Sequence, residues 1–208
     1  MPRINADSVA EHVAQQRAAV LEAAVHLFTE RGFAEVSLGD IAGEVGLARN
    51  SLYRYVPDKV HLLVEWFRAA VPRTIADWEA AVSGNDPAPD RLTRWAHCYL
   101  EWARSPEHQL VAPLIDSLDN LAPDVREEVA ALHRSMLDVV ARTVAEAGVP
   151  ENEVPATVHL LSGIVLGAAR AEGVDVRRPV LREEFRHGVM EDRALRRRLD
   201  RAIVAIVS

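Results

Sequence analysis

Apolar residues recur along most of this chain at helical spacing. Leu38, Ile41, Ala42 and Val45 fall at i, i+3, i+4 and i+7, which is one face of an amphipathic helix. Gly46 follows, a residue able to take the positive φ of a sharp turn because it has no Cβ to clash. Leu47, Leu52 and Tyr55 then resume an apolar stripe on a second helix, roughly two turns long. Ala42 is small where the second helix must cross the first. A small residue, a glycine four later and an apolar residue six after that is the spacing of a helix-turn-helix. This arrangement turns Arg49, Asn50, Ser51, Tyr53 and Arg54 outward. Arginine and asparagine suit guanine and adenine edges, and hydroxyls suit phosphate oxygens.

The flanking pattern predicts helices almost throughout. A long one runs from about Val9 to Arg31, with Asp7 or Ser8 as N-cap, Gly32 as C-cap, and Val20, Leu21, Ala24, Val25 and Phe28 facing the two short helices. Residues 1 to 8 read as a flexible arm, whose Arg3 is a minor candidate for DNA contact. Ser37 is a candidate N-cap for the first motif helix. Pro57 and Asp58 open a further helix that extends to Val82, kinked at Pro72. Ser83 to Asp90 is the clearest loop. Helices follow at 90–104, 107–120, 123–147 and 151–172, with a terminal one at about 192–206, separated by breaks at Ser105-Pro106, Leu121-Ala122-Pro123 and Gly148-Val149-Pro150. With no sustained β-branched alternation, the fold class is all-α.

Leu27-Phe28, Arg31-Gly32-Phe33, Ser37, Ile41-Ala42, Gly46, Leu52-Tyr53, Tyr55 and Lys59 form one ordered set. In this set the run from Ala24 to Trp66 resembles the DNA-binding domain of TetR-family transcriptional regulators. The resemblance covers about the first quarter of the chain and implies a three-helix DNA-binding domain at 1–56. A larger helical domain for effector binding and dimerisation would occupy 57–208. By the same resemblance Ser37, Tyr53, Tyr55 and Lys59 reach phosphates, while Arg49 and Asn50 read bases. The chain departs from the family pattern at three positions. Ala48 stands where a serine often caps the recognition helix, Asn50 where a glycine is common, and Val56 where an aromatic is usual. These departures leave the operator sequence open. On the residues alone, Tyr55 also fits the core of the small domain, more readily than Tyr53 does.

Charge complicates the picture. The net charge is −7, and residues 1 to 59 carry 6 basic against 8 acidic side chains, so the expected basic patch is absent in bulk. Arg49, Arg54 and Lys59 are nevertheless close together on the motif, and Lys59 is the only lysine in the chain. Hydrophobic residues at 49% describe an ordinary globular composition. The single cysteine, Cys98, excludes an internal disulfide framework and suits a reducing cytoplasm. No membrane-length apolar run or signal-peptide core is present, so a cytoplasmic protein with no membrane partner is expected.

Large side chains gather in the second domain. Trp95, Tyr99 and Trp102 share a helix face, as do His133 and Met136, and Trp66 precedes them. These six fit an apolar ligand pocket with a few polar groups, and each fits plain bundle core equally well. The resemblance favours a small-molecule effector there. Ser162, Gly163, Leu166 and Gly167 give one helix a face that permits close packing, and with Ile203 they are read as a homodimer interface; an intrachain contact fits them almost as well. The arginine-rich run from Arg193 to Arg201 reads as a solvated or salt-bridged helix face. No HExxH, GxSxG, Walker A or strand-linked GxGxxG motif is present, and the histidines lack metal spacing. No catalytic residue, metal or cofactor is therefore expected. The predicted activity is ligand-responsive repression at a palindromic DNA operator. The competing class is a helical small-molecule-binding or scaffold protein that keeps the fold without specific DNA binding; the acidic bulk charge is its best argument.

Overall fold

The computed structural model describes residues 6–172 and 192–207, and among them the chain is helical, with no strand. Three helices come first: α1 (Ala6–Arg31), α2 (Leu38–Glu44) and α3 (Arg49–Leu52). Then follow α4 (Lys59–Val82), α5 (Ala88–Arg104), α6 (Val111–Asp116), α7 (Pro123–Glu146), α8 (Val154–Glu172) and α9 (Asp192–Val207). The all-α reading therefore holds.

Two compact units divide the chain. One comprises the N-terminal residues to Ala70 together with Gln109–Ala130. In it α2 packs on α1 and α3. Val20, Ala24, Leu27 and Phe28 of α1 are buried with Val36, Ile41, Ala42, Leu52 and Val56, the period expected of a helix with one apolar face. Two ion pairs brace the surface of this unit: Arg17 with Glu65, and Arg68 with both carboxylate oxygens of Glu128 at 2.5 Å.

The other unit comprises Val71–His108 and the chain from Ala131 onward. In it α5 packs on both α8 and α9, and α8 packs on α9. Leu92, Trp95, Ala96 and Leu100 of α5 are buried, as are Val158, Leu161 and Val165 of α8, and Leu195, Leu199 and Ile203 of α9.

Three elements differ from their predicted form. The helix expected at 107–120 is a 3₁₀ turn (Pro106–Leu110), then α6, then a second 3₁₀ turn (Leu118–Asn120). Pro113 explains the break, because in a helix continuous from 107 its missing N–H would orphan the carbonyl of Gln109 and its ring would clash there. The second motif helix, α3, is four residues rather than two turns. After it the amides of Arg54 and Tyr55 bond to the third residue back, Ser51 and Leu52, so the chain tightens into turns. Helix α1 begins at Ala6, ahead of both predicted caps. Arg3 lies outside the described residues.

Candidate nucleic-acid interface

The helix-turn-helix is built from local chemistry. Ser37 caps α2: its Oγ accepts the amide of Asp40 at 3.2 Å, while the Asp40 carboxylate accepts the Ser37 amide at 2.8 Å and the Ser37 hydroxyl at 2.5 Å. This reciprocal capping box satisfies two otherwise orphaned amides at the helix start. The hydroxyl and amide of Ser37 hold the Asp40 carboxyl below the usual carboxylate range. Gly46 turns the chain at φ +67°, and the Leu47 amide bonds back to the Ala42 carbonyl at 2.8 Å. α3 then starts at Arg49 with Ala48 in the cap position and no side-chain cap bond.

Leu52 anchors α3 in the core, fully buried. Around it Arg49, Asn50, Tyr53 and Arg54 are exposed, Tyr53 with 49% of its surface accessible. Ser51 and Tyr55 are half-buried. Neither Arg49 nor Arg54 forms an ion pair among the described residues. Two planar guanidinium groups, an amide and a phenol therefore stand on one short helix and the turn after it, free to meet an anionic, hydrogen-bonding surface.

Two sequence-predicted contacts are differently engaged. The hydroxyl of Ser37 spends its one proton on Asp40. Lys59 points inward: its Nζ donates to the carbonyls of Phe33 at 2.8 Å, Ala34 at 3.3 Å and Val36 at 3.1 Å, and lies 4.4 Å from the centre of the Phe33 ring. Asp58 caps α4 by accepting the His61 amide at 2.9 Å, with His61 Nδ1 at the same distance. Burial raises the Asp58 carboxyl, but the hydrogen bonds and charge of His61 outweigh it and the net shift is downward.

In the second unit the aromatic residues touch. Trp78 and Trp95 meet edge to face at 5.5 Å, Tyr99 lies 4.9 and 5.6 Å from them, Trp102 stacks 5.8 Å beyond Tyr99, and His108 meets Trp102 at 4.6 Å. Burial pushes the Tyr99 phenol up to about 12. Met136 is buried and His133 exposed, so these two do not share one environment. Trp66 belongs to the first unit, where it packs beside Phe67 at 6.2 Å. On α8, Gly163 and Gly167 are exposed and Ser162 and Leu166 half-buried; Ile203 of α9 is wholly buried within its own chain, so it is core rather than an outward face. The sequence reading gave no structural role to Asp40 or to the Phe33 ring. Ser37 and Asp40 stand at capping-box spacing, the one signal that would have found a member of this set.

Residues 20–66 match the family model described as bacterial regulatory proteins, tetR family. The HTH-type transcriptional regulator EthR of Mycolicibacterium smegmatis is 30% identical over 79 residues, which are 38% of this chain and 36% of that protein. The match thus spans about a third of that curated relative. Two solved structures share the fold over nearly the full length. A regulatory protein of the tetR family from Rhodococcus RHA1 superposes with a TM-score of 0.69 at 18% identity, covering 93% of this chain and 97% of that one. A putative transcriptional regulator from Saccharomonospora viridis, solved in complex with choline, gives 0.68 at 20% identity, covering 91% and 96%. Residues 20–66, which include α2 and α3, thus match the DNA-binding domain of tetR-family regulatory proteins, and the chain shares the helical fold of these two structures over nearly its full length.

Proposed function

We propose that this protein is a homodimeric transcriptional repressor that holds a palindromic DNA operator and releases it when a small molecule binds its C-terminal domain. The observation that carries this reading is the exposed set Arg49, Asn50, Tyr53 and Arg54, presented by a helix-turn-helix whose core is otherwise closed. Arg49 and Asn50, at the start of α3, read base edges in the major groove, and Tyr53 and Arg54 contact the flanking phosphates. Two copies related by a two-fold axis place two such helices in successive major grooves, so the operator is a palindrome. The outward stripe of α8, with Leu160, Gly163 and Gly167 exposed, supports the dimer surface.

An effector site in the second unit is supported by the aromatic group around Trp95 and Tyr99, with Trp102 and Trp78. The Saccharomonospora neighbour binds choline; for this chain the effector class is a small, largely apolar molecule. Its binding lowers DNA affinity by the coupling free energy between the two sites, typically about 1–3 kcal/mol.

A second reading, a helical ligand-binding protein without specific DNA binding, draws on the 6 basic against 8 acidic side chains of residues 1 to 59. A fluorescence-anisotropy titration with duplex DNA from the gene's own upstream region, at two salt concentrations, separates the two. Sequence-dependent binding that weakens steeply with salt is the repressor's signature. Binding no tighter than to random duplex, there and in a genome-wide selection of bound fragments, favours the second reading.

A further inference from the structure

Lys59 is the first residue of α4, yet its ammonium is committed to the turn between α1 and α2. An ammonium has three N–H donors, and three carbonyls accept here: Phe33 at 2.8 Å, Val36 at 3.1 Å and Ala34 at 3.3 Å. The face of the Phe33 ring, 4.4 Å away, adds a cation–π contact. These carbonyls lie just past the C-terminal end of α1, where the helix dipole also favours a cation. Gly32, at φ +89°, ends α1 with its amide on the Phe28 carbonyl, and Phe28 meets Phe33 edge to face at 5.1 Å. The next residue after the clamped carbonyls is Ser37, which starts α2 through its capping box with Asp40.

We propose that Lys59 is a positioning residue, an internal clamp that ties the head of α4 to the α1–α2 turn and so fixes where α2 begins, rather than a phosphate contact. The proposal rests on the DNA-binding reading above. Its chemistry explains why the residue is lysine. A compact ammonium on a flexible stem can converge on three carbonyls, whereas the planar fork of an arginine cannot. Because α4 continues to Val82, any displacement of its first turn is handed to the start of α2 through these three bonds.

The test compares wild type, Lys59→Met and Lys59→Arg for DNA affinity across a salt series, with amide hydrogen exchange of the free proteins over residues 34–44. A clamp gives three results. Lys59→Met loses affinity by on the order of tenfold or more with the slope of log affinity against log salt unchanged; Lys59→Arg is impaired as well; and α2 amides exchange faster in both variants without DNA. A phosphate contact gives the reverse: the slope falls by about one, and Lys59→Arg binds like wild type. That pattern, or unchanged exchange in α2, overturns the proposal. Failure of wild type to prefer any sequence sinks the DNA-binding reading instead, and the exchange arm then decides the clamp alone.

Discussion

Trp78 and Trp95 stand edge to face at 5.5 Å, both inaccessible, and neither indole N–H has a hydrogen-bond partner among the described residues. A buried donor left unpaired costs about 1–3 kcal/mol, so this aromatic core stores a defect beside its stacking. Trp95→Ala removes the ring and is expected to destabilise by about 3–5 kcal/mol. Trp95→Phe keeps a ring while deleting the lone donor, so its cost is expected to stay below about 1.5 kcal/mol. Urea unfolding of the two variants checks this; equal losses would mean that the N–H is satisfied in solution.

Arg49→Ala and Asn50→Ala are expected to relax sequence preference as well as affinity. Each bidentate side chain discriminates its base by about 1–3 kcal/mol. Competition titrations with single-base operator variants should show a flattened profile at one position per half-site. A uniform loss across all sequences would assign the residue to the phosphate backbone.

Two glycines of the motif give opposite forecasts. Gly46 sits at φ +67° with open space around it, so Gly46→Ala is destabilising through backbone strain alone, by about 1–2 kcal/mol. Gly43 lies inside α2, also with nothing within reach of an added Cβ. Gly43→Ala is therefore expected to stabilise by up to about 1 kcal/mol. Thermal melts of the pair read the difference in sign.

His108, with its ring against Trp102, is disfavoured as a cation by burial and then by the positive charge of Arg170. Its folded-state pKa is below the unfolded value, so the unfolded chain takes up the proton first. The stabilisation is complete above an unfolded pKa of about 6.5 and is lost as pH falls toward the folded value. Chemical denaturation from pH 7.5 down to 5 should show wild type losing more stability than His108→Gln. Parallel curves would remove His108 as a contributor.

On α8, Leu160 is 53% exposed and an added Cβ at Gly163 would touch nothing among the described residues. In the proposed homodimer, Gly163→Arg and Leu160→Asp are expected to shift the equilibrium from dimer to monomer while leaving the circular dichroism unchanged. Ile203→Ala, by contrast, should destabilise by about 2–5 kcal/mol, because that side chain is wholly buried in its own chain. Sedimentation velocity on all three variants separates association from folding.

Much of this architecture was legible because it is local. The stripe Leu38, Ile41, Ala42, Val45 and the turn at Gly46 forecast α2 and its exit, and the period of Val20, Ala24 and Phe28 forecast the face α1 buries. Helix ends near Arg31, Val82, Arg104 and Glu146 followed from glycine, proline and short polar runs. Pro113 divides the helix predicted at 107–120 into three short pieces, a local effect of its missing N–H. The clamp of Lys59 was not legible, since its carbonyl partners are 23 to 26 residues away and backbone acceptors carry no sequence signature. Whether Ile203 faces its own core or outward depends on how α9 packs on α5 and α8, which periodicity alone does not fix.

Because Lys59 is the only lysine, the chain has one side-chain amine, and that amine is held by hydrogen bonds. Amine-directed reagents thus meet a single internal target whose reactivity depends on how often the three carbonyls let go. The modification rate of one atom becomes a gauge of how firmly α4 grips the DNA-binding domain, readable without any engineered label by mass spectrometry of the peptide that carries Lys59, which separates it from the α-amino group.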